Sequence, residues 1–148
     1  MNLGNLCGRH PVTVQTGAPV SEVATLMRDQ RVGAVIVTDD AQDRQRVLGI
    51  ITDRDIVRAQ LSRTADLSRL SAGEVMTPNP LVLSELDSVD SAIADLRARG
   101  VRRAPVVAGD GSLVGMLSAD GLLVHLARKL GALAGVVERQ LRREGPEE

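Results

Sequence analysis

Gly49-Ile50-Ile51-Thr52-Asp53-Arg54-Asp55-Ile56-Val57 changes character in mid-stretch. It continues the apolar run of Val47-Leu48 as a strand would, turns polar at Thr52, and then takes up the 3.6-residue period of a helix. Thr52 has the side chain of an N-cap, whose hydroxyl can accept from an orphan amide one turn on. Asp55 falls at the third helical position after it, where a carboxylate meets the positive helix end. A plain capping box accounts for these nine residues as well as any function does. Recurrence tips the balance: Gly115-Met116-Leu117-Ser118-Ala119-Asp120-Gly121 repeats the stretch in altered form.

The flanking sequence repeats as well. Pro11-Val12-Thr13-Val14 reads as an extended segment and Pro19 as a turn. Val20, Val23, Ala24, Leu26 and Met27 follow at helical spacing, with Ser21 as the candidate cap. Val32 to Val37 is a β-branched run closed by Thr38-Asp39-Asp40, a strand and its loop. Pro80-Leu81-Val82-Leu83 follows Pro11 to Val14 by 69 residues, and Val89, Leu96 and Val101 follow Val20, Met27 and Val32 by the same interval. Val106-Val107 and Leu113 to Leu117 supply the matching strands. Gly115 follows Gly49 by only 66, so the first copy carries three extra residues between its strands, around Ala41 to Arg46. This is a duplicated strand–helix–strand–strand–helix unit. One copy is too small to bury both faces of its sheet, so the two are expected to pack about a pseudo-twofold axis. The expected domains are 1–66 and 67–148, with 59–74 as the connector.

Composition narrows the function classes. The 148 residues are 43% apolar and 25% charged, ordinary for a globular chain, yet contain no Phe, Tyr or Trp. A planar ligand must therefore lie against aliphatic groups and backbone. A net charge of −1 with scattered arginines argues against phosphate-neutralising nucleic-acid binding, and stacking modules need rings that are absent. Cys7 is the single cysteine, and His10 and His125 lack carboxylate or thiolate neighbours at ligand spacing, so no metal site is expected. No signal peptide or membrane-spanning run is evident, which predicts a cytoplasmic protein.

Past Ala119 the last helix is long. Leu122, Leu126, Leu130, Leu133, Val137 and Leu141 form a stripe at spacings of three and four, and Ala127, Gly131 and Gly135 lie four apart. Packing within the chain and a contact between two copies are both open. The charged tail from Arg142 to Glu148 is expected to fray.

Four ordered elements carry a family resemblance: Gly-Ile-Ile-Thr-x-x-Asp-Ile at Gly49 to Ile56, Val75-Met76-Thr77-Pro78, Val101-Arg102-Arg103-Ala104-Pro105-Val106-Val107, and Gly115-Met116-Leu117-Ser118. Together they resemble a tandem pair of cystathionine β-synthase-type (CBS) domains, a Bateman module. The resemblance implies an α/β (α+β) fold of two β-α-β-β-α repeats about a pseudo-twofold axis, forming a disc-like homodimer. It implies clefts between the repeats that hold AMP, ADP, ATP or S-adenosylmethionine, with no cofactor required. Carried over, one cleft comprises Thr52, Arg54 and Asp55 with Thr77, Asn79, Arg102, Arg103 and Ala104. The Asp of Thr-x-x-Asp would take the ribose hydroxyls.

The residue chemistry suits that reading. An ionised carboxylate accepts from both hydroxyls of a cis-diol. Two adjacent guanidinia match phosphate oxygens, and a helix start adds free amides. Solvated charges at a strand end are the bland account of Arg102 and Arg103.

The other cleft, His10, Val32, Gly33, Ser118 and Asp120, departs from the pattern. Gly121 stands where Asp55 does, and Asp120 comes one residue early, rotated by about 100° on a helix. Val32-Gly33-Ala34 replaces the arginine pair, leaving His10 as the nearby base. This cleft is expected to be weak or empty.

The leading function is thus a regulatory nucleotide sensor acting on itself or a partner protein. The alternative is a dimerisation scaffold with vestigial clefts. An enzyme is disfavoured, because no nucleophile–base spacing or Walker-type loop is present and no catalytic residue can be assigned.

Overall fold

A computed structural model describes residues 2–40, 44–63 and 66–145. After a 3-10 turn at Leu3–Asn5 come β1 (Gly8–Arg9), β2 (Thr13–Gln15), α1 (Val20–Gln30), β3 (Ala34–Asp39), β4 (Arg46–Thr52) and α2 (Asp53–Arg63). The second series is α3 (Ala72–Val75), β5 (Thr77–Pro78), β6 (Leu83–Ser84), α4 (Val89–Arg99), β7 (Arg103–Val107), β8 (Leu113–Ser118) and α5 (Ala119–Arg143).

The duplication is reproduced residue for residue. Val14 pairs with Val37 in parallel, and Leu83 pairs with Val106 likewise. Val37 opposes Gly49 and Val106 opposes Gly115, with a register shift straight after each. Left-handed backbone recurs too: His10 (φ 58°) and Asn79 (φ 48°), then Arg31 (φ 55°) and Gly100 (φ 63°), are equivalent pairs. Gly100 takes that conformation at no steric cost, whereas Arg31 carries a Cβ into it.

The two sheets exchange their first strands. One runs β2-β3-β4-β5 and the other β1-β8-β7-β6. Thus β1, from the first copy, pairs with β8 of the second, and β5, from the second copy, pairs with β4 of the first. The preceding helical turns follow their strands. Leu3 and Cys7 are buried in the core with Leu83, Val106 and Leu117, while Ala72 is buried with Val14, Val35, Val37 and Ile51. Each core is therefore completed by a segment of the other copy.

β3 is buried along nearly its whole length. Because side chains alternate across a strand, Val35 and Val37 enter the helix-side core and Ile36 faces the other way. Pro105 is its equivalent on β7; both are almost fully buried and belong to neither core cluster.

The connector contributes to the core. Ala59 lies in α2 and packs with Val20 and Leu70 in a third cluster. The connector also explains why Ser21 is not the cap of α1. Pro19 occupies that position without a side-chain bond, and the amides of Val20 and Ser21 donate to the carbonyls of Leu70 and Leu67. The first helical amides are satisfied from outside the helix, so no hydroxyl is needed. Of the expected fraying tail, Arg142 and Arg143 are helical, and 146–148 lie outside the described residues.

Candidate functional site

The strand-to-helix junctions define the two ends of the inter-repeat face. Ala34 opposes Thr52 at one, and Arg103 opposes Ser118 at the other. The loop before each strand clasps the helix after its partner: Asp53 N–H donates to the Gly33 carbonyl (3.1 Å) and Ala119 N–H to that of Arg102 (2.7 Å).

At Thr52 the capping box forms as read. One Asp55 oxygen accepts from the Thr52 amide at 2.8 Å and its hydroxyl at 3.0 Å. Asp55 also lines a 220 Å³ recess with Arg58, Ala59, Ser62, Glu74 and Val75, whose walls come from α2 and α3. The exposed Arg54 lends its amide to Asp53. Thr77 sits on β5 opposite Ile50, and the Asn79 amide donates to the Leu48 carbonyl. Ala104 is fully buried in the second core, because strand alternation turns it away from the face that Arg103 occupies.

Of the residues expected to share a hollow with Asp55, the two arginines take separate directions. Arg102 donates to Asp120 at 2.7 Å on the surface. Arg103 instead crosses to the first repeat. A Cβ built at Gly33 would lie 3.1 Å from its Nη1, with Asp53 Oδ2 at 3.5 Å. Neighbouring residues at a strand end project to opposite sides, so the pair divides.

Arg103 lines a 530 Å³ cavity at the Ser118 end, together with Val32, Gly33 and Ser118 of the cleft expected to be weak or empty. Arg31, Val32, Gly33 and Ala34 form its first-repeat wall. Ser118, Gly121 and Met116 form the second-repeat wall, Leu6 and Gly8 close it from the exchanged segment, and Pro11 and Val12 from the chain leading into β2. The Gly121 amide donates to Ser118 Oγ at 3.0 Å, placing the N-terminus of the 25-residue α5 at the cavity with no side chain at 121. Helix N-terminus and guanidinia both favour an anion. The volume lies within the roughly 300–1,000 Å³ of small-molecule sites.

Several lining residues escaped the sequence reading. Arg31 is one, reached only through the left-handed turn that ends α1. His10 lines a neighbouring 440 Å³ recess with Arg9, Thr13 and Gln45, and Asp120 is held by Arg102. Among the described residues, the basic groups that line this cavity are Arg31 and Arg103, one from each repeat.

Comparison with known proteins settles the family. The CBS domain model matches residues 3–62 and again 72–128. The chain belongs to the CBS domain family. Among CBS relatives, the uncharacterized protein YlbB of Bacillus subtilis is 31% identical over 85% of this chain and 84% of its own length. The uncharacterized protein MK0525 of Methanopyrus kandleri is 25% identical over 83% of this chain, which spans only 61% of that relative. The CBS domain protein PAE2072 of Pyrobaculum aerophilum, solved with AMP, superposes with a TM-score of 0.73 at 31% identity, over 86% of this chain and 99% of its own. No described helix is long and apolar enough to cross a membrane.

Proposed function

We propose that this CBS pair is a regulatory module that binds an adenosine nucleotide in the 530 Å³ cavity between its repeats and acts by binding. The observation that carries the reading is Arg103. It is anchored on β7 of the second repeat, yet its guanidinium lies against Gly33 of the first. A phosphate held there touches both repeats and favours the arrangement in which they meet, by the difference in affinity between arrangements. Phosphate oxygens would face Arg103, Arg31 and the start of α5, with the base against Val32, Ala34 and Met116. Similarity to PAE2072, which was solved with AMP, supports the ligand class.

Gly121 distinguishes this end from the Thr52 end. It offers no carboxylate to a ribose diol, so recognition here rests on the phosphate. Triphosphate, diphosphate and monophosphate should consequently differ more than adenosine and deoxyadenosine monophosphates do. The test is calorimetric titration with AMP, ADP, ATP and adenosine. Binding of the phosphorylated ligands with loss in Arg103→Ala supports the reading. Absence of binding by all four leaves the pair as an interaction scaffold.

A further inference from the structure

Arg9 and His10 stand where the nucleotide cavity does not reach. Their recess shares Pro11 with that cavity, yet Met116 and Ser118 line the cavity while Leu113 and Val114 line the recess. β8 carries both sets, and its two ends are about 17 Å apart at the rise of a strand. The recess lies where the β3–β4 and β7–β8 hairpins meet. There the Leu113 amide donates to the Gln45 carbonyl at 2.9 Å, and Arg46 forms a bridge with Ser112.

We propose that this 440 Å³ recess binds a compact phosphate-bearing anion, as a second ligand separate from the nucleotide. Its polar lining, Arg9, His10, Thr13 and Gln45, consists of side chains that can donate, with no acidic residue beside them. Neighbours in extended chain point to opposite sides, but left-handed backbone at His10 (φ 58°) turns the chain after β1, and both residues line the recess. Among the described residues neither enters an ion pair. Asp110, on the β7–β8 hairpin, is taken up by the amide and hydroxyl of Ser112 and by Arg44. Gln45 Nε2 reaches Thr13 Oγ1 at 3.5 Å, a long contact that leaves the amide's second hydrogen for a ligand. A guanidinium fork with an imidazole, an amide and a hydroxyl suits phosphate oxygens. Leu113 and Val114 offer an aliphatic wall to a small organic remainder.

The duplication supplies a control. Pro78, Asn79 and Val82 follow Arg9, His10 and Thr13 by 69 residues, and Gly111 follows Gln45 by 66. The second copy makes the same turn, with Asn79 left-handed at φ 48°, using neither a cation nor the hydroxyl. Folding does not require these donors, and their presence on one side only marks a site grafted onto the fold. The phosphates of the proposed nucleotide do not account for them, because those face Arg103, Arg31 and the start of α5 at the other end of β8.

Calorimetric titration of pyrophosphate into wild type, Arg9→Gln, His10→Asn and Arg103→Ala tests the site, in about 0.15 M NaCl to screen loose surface attraction. Both recess side chains are exposed, and His10→Asn installs the residue of the equivalent turn, so the fold is kept; thermal midpoints check that. The expected result is a dissociation constant below about 1 mM. It should rise roughly tenfold or more in Arg9→Gln and several-fold in His10→Asn, but by less than about twofold in Arg103→Ala. Saturating AMP should leave it in place. No binding in that range, binding indifferent to Arg9→Gln and His10→Asn, loss confined to Arg103→Ala, or displacement by AMP would each overturn the proposal. The last two would assign the anion to the nucleotide cavity. A chain that binds pyrophosphate through Arg9 but ignores AMP would refute the nucleotide reading and leave this site standing.

Discussion

The Arg103 guanidinium rests against the backbone of Gly33, close enough that a Cβ there would stand 3.1 Å from Nη1 and 3.4 Å from Nη2. One residue from each repeat thus defines the width of the cavity. The obstructing group is the far end of a flexible side chain, so Gly33→Val should displace Arg103 while sparing the fold. Calorimetry should show at least a tenfold loss of AMP affinity, with a thermal midpoint within a few degrees of wild type. A large fall in that midpoint would place Gly33 in the fold and not in the cavity.

The strand exchange has its own test. Leu3 is fully buried in the second repeat's core, so Leu3→Ala should cost about 2–5 kcal/mol. Its repeat equivalent is already alanine, Ala72, buried in the other core. Urea denaturation of Leu3→Ala checks this. A cost below about 1 kcal/mol would mean the N-terminal segment does not complete that core.

Gly115 and Gly49 sit under sulfur. A Cβ on Gly115 would come within 2.8 Å of Cys7 Sγ and press on the Gly8 carbonyl, and one on Gly49 would meet Met76 Cγ and the Thr77 carbonyl at 2.8 Å. In each case exchanged backbone is the obstacle, so Gly115→Ala and Gly49→Ala should each destabilise by about 1–3 kcal/mol. Denaturant midpoints measure both, and unchanged values would contradict the close approach.

Burial raises the Cys7 thiol above its ordinary 9.0, against smaller lowering contributions that include Arg9. A folded pKa above the unfolded one gives a stabilising contribution that is fully present below the unfolded value. It drains away as pH rises through the folded value. The gap in stability between wild type and Cys7→Ala should therefore shift against wild type from pH 8 to pH 10. A pH-independent gap would show the thiol to be freely solvated.

Asp55→Ala should lose about 1 kcal/mol through its capping box alone. That cost accompanies any effect on binding, so ligand loss in this variant needs a denaturant midpoint beside it. A variant as stable as wild type would show the cap to be dispensable.

Much of the fold was legible because a repeat governs it: an offset of 69, shortened to 66 past the inter-strand loop, aligned Pro11 with Pro80, the helix faces and the strands. The strand exchange was not legible. Gly8–Arg9 and Thr77–Pro78 are two-residue strands with no periodicity of their own, and only the backbone shows which sheet each joins. At the site, the capping box could be read from Thr52 and Asp55, and Ser118 could be read as its counterpart. Side-chain direction could not. Arg102 and Arg103 are adjacent in sequence, yet one turns to Asp120 and the other crosses the interface. Arg31 was hidden for a similar reason, because its place depends on a left-handed residue that nothing in its chemistry announces.

The proposed ligand can be read with unusual clarity, since a chain without Tyr or Trp is nearly transparent at 280 nm. The most direct measurement is calorimetric titration of AMP into wild type, Arg103→Ala and Arg102→Ala. Arg102 is tied to Asp120 on the surface, with side chains 77% and 62% exposed, so its loss should change affinity by less than about threefold. Loss of Arg103 should weaken binding at least tenfold, as expected for one charge-assisted phosphate contact. Equal affinity in wild type and Arg103→Ala, or loss confined to Arg102→Ala, would contradict the placement of the nucleotide between Arg103 and Gly33.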